Sequence, residues 1–375
     1  MKKICIVVST PMTVKAFLLK HIETLSKEYE ITIVSNSNLD LSQEYNIKCL
    51  SKYIPLNRKI NFLEDIKSVI LLYKFLKKEN FNLVLSVSPK AGLISSISSF
   101  LARIENRIHF FTGQVWATKR GVFRFILKSV DKLIATLNTN NLIDSPSQKE
   151  FLIREKVIQD EKSTVLLQGS ISGVDVNKFF FNEEIRLELK DKYKIKNDDI
   201  VFMFIGRLNT DKGIFDLVLA FDKLLKEYEN VKLFLIGPDE ENIENQICEF
   251  LKFKNVIRID YVSNPQEILN IADVLVLPSY REGFGTIVIE AASMGIPCIA
   301  SDIYGLNDAI VNNKTGLLHK VKDIDDIIEK YEYLIENKNK IKEYGVNAKV
   351  RVYNNFKDEQ LSNELKKYID KFLKK

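Results

Sequence analysis

Cysteine, histidine and long apolar runs are all scarce in this 375-residue chain. The four cysteines, Cys5, Cys49, Cys248 and Cys298, form no C-x-x-C pair and sit among apolar or mixed neighbours. They read as buried or incidental thiols of a reducing compartment, not as a disulfide frame. The three histidines, His21, His109 and His319, are scattered without zinc or H-E-x-x-H spacing, so no metal site is expected. No stretch approaches about 18 uninterrupted apolar residues. The nearest, 83–102, contains Pro89, Lys90 and many serines, and no transmembrane helix is expected. Lys2 and Lys3 precede an apolar run, 4–8, that is shorter than the roughly 7–15 residues of a signal-peptide core. A buried first strand is the better reading of it.

Apolar residues make up 46% of the chain and charged residues 28%. That composition excludes a wholly disordered chain, and the length fits two domains of ordinary size. The formal charge of +5 hides an asymmetry. Residues 1–168 hold 25 Lys and Arg against 15 Asp and Glu, net +10. The remainder hold 30 against 35, net −5. A basic half suits an acidic partner: phosphate, anionic lipid or nucleic acid. Nucleic acid is disfavoured, because no binding motif or stacking platform accompanies the cations.

Hydrophobic periodicity predicts strands at 3–9, 30–35 and 82–87, with helices at 13–27 and 62–78 between them. After about residue 180 the alternation restarts. Strands are predicted at 199–205, 231–236, 256–260, 274–277 and 297–301. Helices are predicted at 213–228, 241–250, 265–272 and 286–294. Repeated strand–helix–strand units mean parallel sheets covered on both faces. The fold class is therefore α/β, with two doubly wound, Rossmann-like domains and a cleft between them, joined by a hinge within 169–184. Ligands of such folds bind at the carboxyl ends of the strands. A terminal helix, 358–373, carries an apolar stripe of Leu361, Leu365, Ile369 and Phe372. Asp323, Asp325 and Asp326 cluster at a late helix start, where capping is the expected role.

Two loops carry chemistry. The first runs from Gly206 through Arg207 and Lys212 to Gly213. Its cations suit a diphosphate, bound bidentately by Arg207 with Lys212 as a point charge; a surface loop with incidental basic residues is the bland alternative. The second runs from Ser279 to Thr286, with Glu282, Gly283, Phe284 and Gly285, and leads into a helix bearing Glu290. Its glycines let helix-start N–H groups reach an anion. Glu290 lies in an apolar run and is costly to bury unpaired, unless that position is solvated or ion-paired.

With the run Ala292–Asp302 and the segment Gly173-Val174-Asp175 before Phe179, these loops resemble the family 4 retaining glycosyltransferases of GT-B fold. The resemblance covers most of the second domain. It implies an N-terminal acceptor-binding domain at 1–172, a nucleotide-sugar-binding domain at 173–355 and a C-terminal helix at 356–375 that can cross back to the first domain. It also implies a metal-independent hexosyltransferase with no cofactor beyond its nucleotide-sugar donor, expected to be UDP-linked. Catalytic roles fall to Glu282, Arg207 and Lys212. Donor-binding roles fall to Gly206, Arg207, Lys212, Tyr261, Val262, Glu282, Gly283, Phe284, Gly285, Thr286 and Glu290. Asp260 stands where the family pattern usually has Gly.

The first domain matches less closely. Thr112 occupies the place of a histidine found in many members, and His109, three residues earlier, reads as a core residue. With Thr112–Lys119 and Gly169–Gly173, this points to the subgroup that builds bacterial surface polysaccharides. Acceptor-binding candidates are Thr10, Thr112, Gly113, Gln114, Lys119 and Ser170. Arg124, Lys128 and Lys132 fall on one helical face, with Trp116, Val122, Phe123 and Phe125 nearby. Such a stretch fits anionic lipid or a lipid diphosphate, or is a solvated face with a core side; Arg58 and Lys59 extend it. The expected reaction moves a sugar to a hydroxyl of a polyprenyl-diphosphate-linked saccharide, in capsule, O-antigen or glycan assembly. The expected place is the cytoplasm, peripheral on the inner membrane face. A non-transferring enzyme such as a UDP-sugar epimerase, or a binding subunit without catalysis, are the alternatives.

Overall fold

The computed structural model describes residues 1–57 and 61–374, so Arg58 and Lys59 lie outside the described residues. The chain forms two compact units. One comprises Met1–Gly173 with Asp358–Lys375, the other Val174–Lys357.

The first unit is built on seven parallel strands, β1 (Lys3–Val8), β2 (Glu30–Ser35), β3 (Leu50–Tyr53), β4 (Leu83–Val87), β5 (Asn106–Phe111), β6 (Asn140–Ile143) and β7 (Ser163–Val165), in the order β3-β2-β1-β4-β5-β6-β7. The first strand shows why no polar alternation was needed. Ile4, Ile6 and Val8 enter one core and Cys5 and Val7 the other, because successive side chains of a strand point to opposite faces. The second unit repeats the plan with β8 (Ile200–Ile205), β9 (Val231–Ile236), β10 (Val256–Ile259), β11 (Val274–Leu277), β12 (Cys298–Ser301) and β13 (Gly316–His319), in the order β10-β9-β8-β11-β12-β13. Each sheet therefore has one switch point, where strand order reverses and a crevice opens at the carboxyl ends. It lies between β1 and β4 in the first unit and between β8 and β11 in the second.

Several elements differ from expectation. The first helix breaks at Leu18 into Pro11–Phe17 and Leu19–Leu25. The helix expected at 241–250 shrinks to Ile243–Gln246 and a 3₁₀ turn, Phe250–Lys252. There the Asp239 carboxylate accepts from the N–H groups of Glu241, Ile243 and Glu244, which caps the helix at a later start than expected. Strand β3 is exposed throughout and β7 has three residues, so neither carries a readable apolar pattern. Asp323 does cap its helix, accepting from Asp326 N at 3.0 Å.

The C-terminal helix, Asp358–Leu373, belongs to the first unit. Its stripe of Leu361, Leu365 and Ile369 is buried in the same core as Ile4, Ile6 and Leu25, and Tyr29 donates to Asp370. Ile369 is fully buried, so Ile369→Ala should cost the first unit about 2–5 kcal/mol. Urea unfolding measures this; an unchanged midpoint would show that the helix is dispensable for folding.

Candidate active site at the second switch point

The loop after β8 and the loop after β11 meet because two glycines remove side chains where backbones touch. Gly213 has φ +70°, and a Cβ there would lie 2.0 Å from the Pro278 carbonyl. Gly237, after β9, has φ +133°, and its Cβ would lie 1.9 Å from the Gly206 carbonyl. Only glycine tolerates both the conformation and the approach. Three loops are thereby stacked at the carboxyl edge of one sheet.

Charged pairs stitch them. Lys212 Nζ donates to Glu282, whose carboxylate also accepts from Ser279 Oγ at 2.9 Å. Arg281 donates to Asp211 at 2.8 Å, and Tyr280 N donates to Asp211 O at 2.8 Å. Arg207 donates to Glu240 at 2.7 Å, and Asn209 to the same oxygen at 3.2 Å. Thr210 donates through both its N–H and its hydroxyl to Glu241. Asn209 Oδ1 accepts from Lys212 N at 3.1 Å, fixing the turn that presents the lysine. Lys212 and Glu282 are mostly buried, whereas the Arg207 side chain is about half exposed.

The helix Thr286–Ser293 begins immediately after Gly285, which has φ +82° and offers no side-chain cap. Val288 N bonds the Gly285 carbonyl at 2.9 Å; the N–H groups of Thr286 and Ile287 before it have no hydrogen-bond partner among the described residues and favour an anion. The Phe284 side chain is buried against Phe356, so its backbone alone is available to a ligand. Glu290 lies further along this helix. The residue keeps a partly exposed edge, but its carboxyl lies deep; burial raises its pKa to about 8, with Lys178 offsetting part of the effect. Tyr261 and Val262 follow β10; Tyr261 is exposed and Val262 packs on the core edge. Among the described residues, no group of three or more His, Cys, Asp or Glu is arranged to hold a metal ion.

In the first unit the acceptor candidates also lie at the carboxyl edge of the sheet. Gln148 ties three of them together. Its amide donates to Thr112 O at 2.6 Å and Gln114 Oε1 at 3.0 Å, and its oxygen accepts from Asp144 N. Asp144 O in turn accepts from Ser170 N at 2.7 Å. Gly113 lies inside this loop, and Lys119 follows a 3₁₀ turn, Val115–Thr118. Thr10 follows β1, and its buried hydroxyl has no hydrogen-bond partner among the described residues. At this switch point Ser88 takes φ +79° and shares a hydrogen bond with Ser9 at 2.8 Å. Such strain in a non-glycine residue is retained where the surroundings enforce it. His109 is a core residue. Its Nδ1 lies 2.9 Å from Ser86 Oγ, burial lowers its pKa to about 3, and a Cβ on Gly92 would meet its ring at 2.4 Å.

Residues 185–351 match the family described as glycosyl transferases group 1. Over 352 residues the chain is 33% identical to the capsular polysaccharide biosynthesis glycosyltransferase CapM of Staphylococcus aureus, covering 93% of this chain and 91% of that protein. The chain belongs to the group 1 glycosyltransferases. It is also 28% identical over 363 residues, covering 93% of this chain and 91% of the relative, to the UDP-Gal:alpha-D-GlcNAc-diphosphoundecaprenol alpha-1,3-galactosyltransferase of Escherichia coli. Among solved structures, Anabaena HepE in complex with UDP and glucose matches with a TM-score of 0.82 at 14% identity, covering 99% of this chain and 100% of that one. A sucrose-phosphate synthase from Thermosynechococcus elongatus matches with a TM-score of 0.83 at 18% identity, covering 100% and 99%. The fold is thus GT-B, with two Rossmann-like domains.

This group 1 glycosyltransferase brings Gly206, Arg207, Lys212, Glu282, Gly283 and Gly285 together at one switch point. Glu240, Glu241, Arg281 and Asp211 were missed from the sequence, as were Gln148 and Asp144 in the first unit. The signal for Glu240 was present: it follows β9 and Gly237-Pro238, the same topological place as the loop after β8. Since the glycine contact sets the geometry, Gly213→Ala should destabilise the second unit by about 1–3 kcal/mol. Differential scanning calorimetry reads this; an unaltered transition would refute the close approach.

Proposed function

We infer that this group 1 glycosyltransferase is a retaining enzyme. It transfers a sugar from a UDP-linked donor to a hydroxyl of a polyprenyl-diphosphate-linked saccharide during capsule or related glycan assembly. The observation that carries this reading is the cluster of Arg207, Lys212, Glu282 and an uncapped helix start at the second switch point. It joins cations for a diphosphate, amides for its oxygens and a carboxylate for the sugar. The name of the Escherichia coli relative supports the donor and acceptor class, and that of the Staphylococcus aureus relative supports the polysaccharide.

In this reading the acceptor hydroxyl attacks the anomeric carbon as the bond to the diphosphate breaks. The hydroxyl proton passes to the departing phosphate oxygen on the same face. Arg207 and Lys212 exchange their carboxylate partners for the diphosphate and neutralise its growing charge, the role a divalent metal plays elsewhere. Glu282, released from Lys212, meets the sugar hydroxyls, and its charge favours the cationic sugar centre. Gly283, Phe284, Gly285 and Thr286 lend backbone amides. Tyr261 and Val262 face the base, and Glu290 accepts from the ribose hydroxyls. Thr10, Thr112, Gly113, Gln114, Lys119 and Ser170 line the acceptor side. Placement at the inner face of the cytoplasmic membrane follows from such an acceptor.

A panel of UDP-sugars incubated with lipid-linked acceptor tests the reaction. Transfer with retained configuration, undiminished by EDTA, is expected. Glu282→Ala should lower turnover by about 10²-fold or more while UDP still binds, and near-normal turnover would sink the assignment. Glu290 supplies a pH signature. Its carboxyl titrates near 8 in the free protein. Hydroxyl donation favours the charged form, so donor binding lowers that pKa. Donor affinity should therefore be full above pH 8 and fall by up to about tenfold per pH unit below it. Titration calorimetry from pH 6 to 9 checks this; a flat profile, or the same slope in Glu290→Gln, would contradict it.

A further inference from the structure

The helix Gly121–Leu137 buries Ile134 and Ala135 in the core and carries a second apolar stripe that faces outward. Three of its charged residues, Arg124, Lys128 and Asp131, turn toward the protein. Arg124 and Lys128 both donate to Glu155, at 3.0 and 2.6 Å, and both lie over the Trp116 ring. Asp131 is buried and accepts from Trp116 Nε1 at 2.7 Å. Two of the three cations expected to meet a membrane are therefore engaged inward, and Lys132 alone of that set is exposed without an ion pair among the described residues.

The outward face is apolar. Val122 is 74% exposed, Phe125 71% and Ile126 51%, with Leu133 two turns on. These positions, i, i+3, i+4 and i+11, form one stripe. A second stripe lies on the helix Phe62–Glu79, where Phe62, Leu63, Ile66 and Ile70 are exposed. Both helices pack against the helix Pro89–Leu101. Both begin at the carboxyl edge of the sheet, after β3 and β5, so their exposed first turns share one end of one face. An ordinary monomer does not leave so many large side chains together in water.

We propose that this face, led by Val122, Phe125 and Ile126, inserts into the interfacial layer of an anionic bilayer. Charge selects that occupant. Between Asn106 and Ile143 the only acid is the buried Asp131, while Lys119, Arg120, Lys132 and, on the other helix, Lys67 flank the stripes without an ion pair among the described residues. On the helix Gly121–Leu137 the exposed charge is cationic, and the two acids in the first turn of the other helix are engaged, Glu64 by Asn57 and Asp65 by Lys90; a face with that balance matches an anionic lipid surface and disfavours pairing with a second copy of itself. The helix follows the Thr112–Lys119 loop directly, so docking brings the acceptor candidates to the lipid. That consequence rests on the reading of the acceptor as lipid-linked; the docking itself does not.

Flotation with phosphatidylglycerol-containing vesicles and with pure phosphatidylcholine vesicles, without donor or acceptor, tests the proposal. The protein should float with the anionic vesicles and much less with the neutral ones. The variant Val122→Ser/Phe125→Ser/Ile126→Ser should partition about tenfold less or weaker with unchanged circular dichroism and unfolding temperature, since these side chains are exposed. Phe125→Leu/Ile126→Leu should retain binding. Undiminished flotation of the serine variant overturns the proposal. So does a dimer that the serine variant dissolves, with no vesicle binding by the parent. Absence of binding with intact transfer to lipid-linked acceptor would refute docking alone; binding without transfer would refute the function alone.

Discussion

The close approach of three loops in the second unit is the constraint on which the candidate site depends. Gly213 against Pro278 and Gly237 against Gly206 bring backbone to backbone, and only then can Lys212 reach Glu282 and Arg281 reach Asp211. The loops stand where strand order reverses between β8 and β11. Connections from the two neighbouring strands leave to opposite sides there, which opens a crevice. The topology supplies the opening, and the glycines set its width.

Electrostatics hold the cations of the site in place. Each cation that would meet a diphosphate has a carboxylate partner: Glu240 for Arg207 and Glu282 for Lys212. A half-buried cation without a partner is costly, and these pairs remove that cost while leaving the charges poised. The exposed Arg207 pair contributes little to stability, so exchanging it for a phosphate is inexpensive. The Lys212–Glu282 pair is more enclosed, and in the proposed reaction its exchange would move a phosphate contact and a sugar contact together. The same inward pairing recurs in the first unit, where Glu155 and Trp116 engage Arg124 and Lys128.

Much of this was legible in the sequence, for identifiable reasons. Strands buried on both faces, such as Ile200–Ile205 and Val274–Leu277, read as unbroken apolar runs, and glycines beside Arg207, Lys212 and Glu282 marked the loops. What could not be read was partner choice. Periodicity places Arg124, Lys128 and Lys132 on one face but cannot say which way that face turns; Glu155, 27 residues beyond Lys128, decides it. Glu240 could be placed by its position after β9, but not its pairing with Arg207, 33 residues away, and Gln148 was invisible because its partner Thr112 lies 36 residues away. Short, polar or exposed strands such as Leu50–Tyr53 carry no pattern that burial would impose.

A structure of the protein with bound UDP would show whether the paired cations of the site receive the diphosphate. The diphosphate is expected within hydrogen-bond reach of both Arg207 and Lys212, at the start of the helix Thr286–Ser293, with the Lys212–Glu282 pair opened. A diphosphate bound away from the β8–β11 switch point, or bound there with both carboxylate pairs intact, would contradict that expectation.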